Sequence, residues 1–246
     1  MFVIAQLSDL HVNGTHRNRA RIEAAFDYVN SRADGIDALL VTGDLTDHGS
    51  AEEMLEARKL IASPLPTLIT IGNHDARPSF NDVFRPGTDP TAPVNEALTI
   101  DGVTLLSADS SLPGERRGFL DDQTVAWLDT AMTGAAGHVV VAFHHPPSTL
   151  GMPMMDSIMM SDPERLGALV DSHPNVAALV CGHAHSAAVT TFHGRPLCLA
   201  PGVASTLNLP FEGSAVINRD QPAGVAFHML DDDGRLITHY RTIPGT

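Results

Sequence analysis

The 246-residue chain is 43% hydrophobic and 18% charged, with 20 Gly, 17 Pro and no apolar run near the roughly 18 residues of a membrane span, which excludes disordered, collagen-like and membrane-spanning classes. Fifteen basic against 29 acidic residues leave a charge of −14, which repels nucleic-acid polymers and anionic membrane surfaces and excludes both as partners. Cys181 and Cys198, in the apolar settings VAALVCG and RPLCLAPG, read as buried thiols, and MFVIAQLSDLH lacks a basic n-region, so a cytoplasmic enzyme is expected.

In chain order, FVIAQLSDLH predicts a short buried strand that ends in polar residues. From Ile22, the positions Ala25, Phe26, Val29 and Ala33 keep a helix period. DALLVTGDLTD (37–47) predicts a second strand, and Ser50 with Glu53 forms a capping box opening a helix that carries Met54, Ala57 and Ile61. PTLITIGNHD (66–75), VVVAFHHPP (139–147) and VAALVCGHAH (176–185) repeat the pattern of an apolar run closed by polar residues. Trp127, at helical spacing from Ala131, reads as core. Then AAVTTF, RPLCLA, AGVAFHM and RLITHYR follow in close succession, as antiparallel strands do. The earlier alternation predicts a largely parallel sheet with helices on its faces. No Pro-, Gly- and Ser-rich linker and no repeat divides the chain, so residues 1–246 read as a single domain.

Each of the five ligand-bearing strands ends in groups able to bind a metal: Asp9 and His11, Asp44, Asn73 and His74, His144 and His145, His183 and His185. Sites in open α/β sheets form beyond the carboxyl ends of the strands. In extended chain, residues two apart project to one side, so Asp9 with His11 and His183 with His185 can each face one point. Gly43, Gly72 and Gly182 would let the backbone turn there. Carboxylate and amide oxygens mixed with imidazoles, without cysteine, suit two divalent or mixed-valence ions of Mn, Fe or Zn. Seven candidates (Asp9, His11, Asp44, Asn73, His144, His183 and His185) supply four ligands per ion if Asp44 bridges through its two oxygens. The ions would outweigh Asp9 and Asp44 and make a positive pocket for a small phosphate ester.

Together, DLH (9–11), GDLTD (43–47), GNHD (72–75), HHPP (144–147) and GHAHS (182–186) resemble, in order, the five motifs of calcineurin-like metallophosphoesterases. The resemblance implies a four-layer αββα sandwich of two mixed sheets flanked by helices. It also implies one ion on Asp9, His11, Asp44 and His185, and a second on Asp44, Asn73, His144 and His183. Within the family, GFLDDQTVAWLD (118–129) and PGVAST (201–206) resemble class III cyclic nucleotide phosphodiesterases and the related glycerophosphodiesterases. The chain lacks the arginine after GD and the GNHE of phosphoprotein phosphatases. It also lacks the tyrosine of purple acid phosphatases, its only tyrosines being Tyr28 and Tyr240. Ser205 stands where the glycerophosphodiesterases have histidine, which ranks cyclic nucleotides first.

The expected activity is therefore hydrolysis of small phosphodiesters, 3′,5′-cyclic nucleotides such as cyclic AMP first and glycerophosphodiesters or a broad range second. A non-catalytic scaffold of the same fold would have shed ligands that this chain keeps. His74 is the candidate acid for the leaving alkoxide. Neighbours in a strand point to opposite sides, so only one of His144 and His145 faces the ions; the resemblance favours His144 as ligand and leaves His145, with Asn73, for substrate. Asp47 either caps the following helix or orients His74. The segment 151–162, with five of the nine methionines, is a candidate apolar lid or core filler. Arg116 and Arg117 read as an exposed pair. His16, His48, His138, His173, His193, His228 and His239 have no site setting, and oligomeric state is left open.

Overall fold

A computed structural model describes residues 1–246. Two sheets lie face to face. In the first, β1 (Phe2–Leu7), β2 (Ala38–Thr42) and β3 (Thr67–Thr70) run parallel, each a run of mostly buried side chains, as strands covered on both faces must be. In the second, β5 (Val103–Ser107) and β6 (Val139–Ala142) pair in parallel, with β4 (Glu96–Ile100) antiparallel on the outer side of β5. Beyond β6, β7 (Val176–Cys181) and then β9 (Arg195–Leu199) continue parallel, and β8 (Ala188–Phe192) closes the edge antiparallel to β9. The last strands, β12 (Gly224–Leu230) and β13 (Leu236–Thr242), return to the first sheet beside β1.

Helices α1 (His16–Asn30), α2 (Ala51–Leu60) and α3 (Arg77–Phe84) contribute apolar faces to a core against the first sheet, with Ile22, Phe26, Met54 and Phe80 buried there. Helices α4 (Asp122–Gly134) and α6 (Glu164–Ser172) do the same for the second sheet through Leu128, Met132, Leu166 and Val170. Between the sheets Ile4, Leu40, Leu68, Leu105, Val140 and Val180 form a third core, so the layers run α, β, β, α as expected. A four-residue helix α5 (Pro153–Asp156) and a two-stranded arm, β10 (Thr206–Leu207) with β11 (Ile217–Asn218), lie outside these layers.

Local expectations are met with corrections. α1 starts earlier than the apolar period does, because Thr15 caps it through the Asn18 amide, and it ends at Ser31, so Ala33 falls in a short 3-10 turn. Ser50 accepts from the Glu53 amide as a capping box requires, but the Glu53 carboxylate turns to the His48 amide and ring, leaving the box half made. The four late strands are antiparallel to their sequence neighbours but split between the two sheets. Cys181 and Cys198 are buried free thiols, Trp127 packs partly buried on the second core, and Arg116 and Arg117 are exposed.

A buried polar chain pins the two sheets together. Gln6 on β1 donates its amide to Thr42 Oγ1 at 2.8 Å and to the Cys181 carbonyl of the facing sheet at 3.0 Å. Its oxygen is thereby left to accept, and His228 Nε2 donates to it at 2.8 Å, while Thr238 donates to His228 Nδ1 at 2.8 Å. Burial pulls the His228 ring down to about 4 and keeps it neutral. The unfolded ring titrates near 6.5, so it binds protons before the folded one does; stability is full above pH 6.5 and falls as pH drops toward 4. In chelated protein, His228→Gln should lower stability at pH 7.5 but remove about 2 kcal/mol of the loss seen between pH 7.5 and 5. Urea unfolding at both pH values checks this; an identical pH loss in the two proteins would mean His228 does not titrate as described.

Candidate metal centre

The polar ends of β1, β2, β3, β6 and β7 converge on one edge of the paired sheets. Asp9 N–H donates to the Gly43 carbonyl at 3.0 Å and His11 N–H to the Asp44 carbonyl at 2.9 Å, so the loops after β1 and β2 are zipped together. The extended geometry expected for the i, i+2 pairs is not what makes them converge. Asp9, His11, Asp44, His183 and His185 all take left-handed backbone, with φ of 56°, 45°, 49°, 69° and 51°. Of the three glycines, only Gly43 uses positive φ, at 86°. Gly72 and Gly182 are required for closeness instead: a Cβ would strike the Asp44 carboxylate at the first and Ser8 Oγ at the second.

Four of the candidates, Asp9, His11, Asp44 and His185, form one cluster. His144, His145 and His183 form a second, so both members of the HH pair stand beside His183. Asp44 Oδ2 links the clusters, 3.5 Å from His11 Nε2 and 3.3 Å from His144 Nε2. Its other oxygen accepts from the His74 amide at 2.9 Å, so a single oxygen of Asp44, rather than two, faces both sides.

The histidine tautomers follow from the outer nitrogens. His144 Nδ1 donates to the Thr42 carbonyl at 2.8 Å, His183 Nε2 to Ile158 O at 3.2 Å, His185 Nδ1 to Ser205 O at 3.0 Å and His11 Nδ1 to Asp47 Oδ1 at 3.1 Å. The inner nitrogens therefore carry lone pairs, and these face each other: His144 Nε2 and His183 Nδ1 at 3.2 Å, His11 Nε2 and His185 Nε2 at 3.1 Å. Lone pairs so placed need a cation. Asp9 Oδ2 and Asn73 Oδ1, both buried, have no hydrogen-bond partner either. Facing imidazoles, orphaned oxygens and hard donors fit divalent transition metals, with the outer carbonyls and Asp47 fixing each ring. Without a cation, a proton substitutes: burial pulls His144 down, but the charge and hydrogen bond of Asp44, with Asp9, outweigh it and raise the ring to about 9. Burial and the nearby His144 push His183 down to about 3.

His145 differs. Ser110 Oγ lies 2.9 Å from its Nδ1 and accepts from the His144 and His145 amides at 3.3 Å, so the hydroxyl proton goes to Nδ1 and the ring proton stays on Nε2. Burial first, then His183 and His144, hold this ring well below the usual histidine range, hence neutral. Its Nε2–H makes no close hydrogen bond, although the Arg116 backbone oxygen faces the ring. His74, exposed at the rim, donates Nδ1–H to the Asp47 carbonyl at 2.8 Å and packs edge-on against His11 at 4.7 Å. The Asp47 carboxylate holds His11, and His74 meets the backbone oxygen of Asp47 instead, 3.9 Å from the carboxylate. Supporting groups that the motif reading passed over are Asp75, which accepts from the Leu45, Thr46 and Gly72 amides, and Ser110. Ser110 follows the end of β5, so the rule that sites lie beyond strand ends would have found it had β5 been recognised.

The tautomers separate the two adjacent histidines. His144→Ala should bind one metal ion fewer per chain than the wild-type protein, whereas His145→Ala should bind as many. Elemental analysis of the two metal-replete variants decides it; loss of an ion from His145→Ala alone would reverse the assignment.

Residues 2–187 match the family model described as calcineurin-like phosphoesterase. The chain is 34% identical over 215 residues to the glycerophosphodiester phosphodiesterase GpdQ of Enterobacter lignolyticus, covering 81% of this chain and 76% of that protein. It is 28% identical to the 3′,5′-cyclic adenosine monophosphate phosphodiesterase CpdA of Pseudomonas aeruginosa, covering 96% and 88%. Among solved structures, the yellow lupin purple acid phosphatase PPD1 shares the fold with a TM-score of 0.72 at 13% identity, over 99% of this chain and 52% of that one. With the motif-bearing strands and the family model covering the same residues, the chain belongs to the calcineurin-like phosphoesterases and is a hydrolase.

Proposed function

We propose that the protein hydrolyses small phosphodiesters with two transition-metal ions, Mn, Fe or Zn, taking 3′,5′-cyclic nucleotides such as cyclic AMP first and glycerophosphodiesters second. The observation that carries the reading is the double set of facing imidazole lone pairs joined by one oxygen of Asp44. Asp9, His11, Asp44 and His185 would hold one ion, and Asp44, Asn73, His144 and His183 the other. Bound there, the ions would neutralise charge on the phosphoryl oxygens and acidify a water. The second substrate class is favoured by the GpdQ relative. Chain-end strands β12 and β13 complete the first sheet, which supports residues 1–246 acting as one domain. Two reduced thiols in an acidic chain accord with a cytoplasmic setting.

Asn73 offers its oxygen inward and leaves its amide N–H for a phosphoryl oxygen. His145, neutral and protonated on Nε2, donates to another phosphoryl oxygen without competing for an ion. His74 is held by Asp47 through Nδ1–H, so the proton it delivers to the departing alkoxide is the one on Nε2.

A hydrolysis panel tests the reading. A preparation reconstituted with Mn²⁺ should hold two ions per chain and cleave cyclic AMP, glycerophosphocholine and bis(p-nitrophenyl) phosphate faster than the monoester p-nitrophenyl phosphate, and chelation should abolish this. Activity confined to the monoester would overturn it. His74→Ala should keep both ions and lower kcat by about 10²–10⁴ for alkoxide leaving groups, and by less for p-nitrophenolate, which departs without a proton. Equal losses on both would make His74 a phosphate-positioning residue.

A further inference from the structure

The methionine segment is not an open flap. Met152, Met155 and Met160 are buried in the second core, and backbone bonds staple it: Met160 N–H to Pro146 O at 3.0 Å, Gly118 N–H to Met159 O at 3.2 Å. Its Ile158 carbonyl is the one that His183 contacts. Opposite stands the β10–β11 arm, whose root supplies the Ser205 carbonyl to His185 and whose Leu207 carbonyl accepts from Ser186 Oγ at 3.3 Å. Both walls are thus tied to the loop that carries His183 and His185.

Between them lies a cleft of about 210 Å³, with Met152, Met154 and Met155 on one wall and Leu207, Leu209 and Val216 on the other. None of its lining residues is charged or aromatic, in a chain of net charge −14. The arm is fixed rather than loose. Buried Arg21 of α1 donates to Val203 O at 2.8 Å and Gln221 O at 3.0 Å, gripping both roots, and Arg17 reaches Arg219 O.

We propose that this cleft is a substrate subsite that takes the face of a flat, uncharged aromatic group, a nucleobase, in preference to a cationic or polyol head group. The proposal rests on the phosphodiester reading above and narrows it. A quaternary ammonium is stabilised by carboxylates or aromatic faces, and the cleft has neither. A polyol would give up water without enough partners. Methionine thioethers, by contrast, pack well against aromatic rings. The volume, below the roughly 300–1,000 Å³ of whole-ligand pockets, suits one end of a ligand whose phosphate would be held outside the cleft, at the centre to which the Ile158, Ser205 and Leu207 carbonyls tie both walls.

The test compares cyclic AMP with methyl ribofuranoside 3′,5′-cyclic phosphate, which keeps the sugar and phosphate but lacks the base, with bis(p-nitrophenyl) phosphate reporting diesterase activity. Val216 and Met154 are 44% and 47% exposed, so Val216→Glu and Met154→Glu charge one wall each without burying the new group. The wild-type protein should favour cyclic AMP over the base-free ester by about tenfold or more in kcat/KM. Each variant should lose about tenfold on cyclic AMP, chiefly through KM, with the base-free ester unchanged. Equal rates on the two cyclic esters, with bis(p-nitrophenyl) phosphate still cleaved, overturn the subsite alone. Absence of all diester cleavage overturns the phosphodiester reading and the subsite with it. A wild-type dimer that Val216→Glu dissociates, with the base preference intact, would make a second copy the occupant and also overturn the proposal.

Discussion

Histidine rings held with their lone pairs face to face are unstable without something positive between them, and much of the buried polar structure serves to keep them there. Each of the four rings has its outer nitrogen fixed by an oxygen: Thr42, Ile158 and Ser205 carbonyls and the Asp47 carboxylate. The five left-handed residues that aim these groups cost about 1–2 kcal/mol each in backbone strain. That cost is borne by loop-to-loop hydrogen bonds such as Asp9 to Gly43 and Val203 to Ser8, and by Asp75, which gathers the amides of two loops. A site strained in this way is preorganised, because its rings are already aimed at one another before any cation is bound.

The sheets matter as a rigid mount. Five strand ends from two separate sheets can meet only if the sheets do not slide; the close-packed apolar core between them resists sliding, and a directional polar link fixes the register. The Gln6–His228 chain supplies direction: every proton in it is assigned by its neighbour, and Gln6 reaches Cys181, two residues before His183. The same link therefore registers β1, which carries Asp9, against β7, which carries His183.

Where strands carry their chemistry was readable, because an apolar run ending in Asp, Asn or His is a pattern in side chains. What holds that chemistry was not, because Thr42, Ile158 and Ser205 act through carbonyls that any residue would offer. The left-handed turns were hidden for a similar reason: φ of 45° at His11 comes from the zipped loops rather than from histidine. β4 and β5 carry the same mark, since Asp109 stands two residues past β5 as Asp9 and Asp44 do past β1 and β2, but Asp109 binds Arg77 and the Val94 and Ser111 amides instead of the centre, so the pattern there leads to Ser110 and not to a further ligand. The methionines of 151–162 lack a single period because they serve two settings, Met160 in the core, Met154 at the cleft, and Met152 and Met155 in both.

The charge of the chain then bears on which phosphates can reach the centre. A surface of net −14 opposes any extended polyanion along its whole length, but a small diester carries one charge and crosses that field only briefly, over a screening length near 8 Å. At the centre bound cations would reverse the balance, because the carboxylates that face it are only Asp9, Asp44 and, through His11, Asp47. Burial of Asp44 would raise its carboxyl, yet His144 and His11 hold it well below the ordinary carboxylate range, so it stays ionised and its charge is already counted. Two divalent cations would leave an excess of positive charge there, beside Asn73 and His145, the proposed phosphoryl donors. With two cations bound, acidity outside and cation excess inside would thus select by size, and the proposed cleft would select by the chemistry of the ester group.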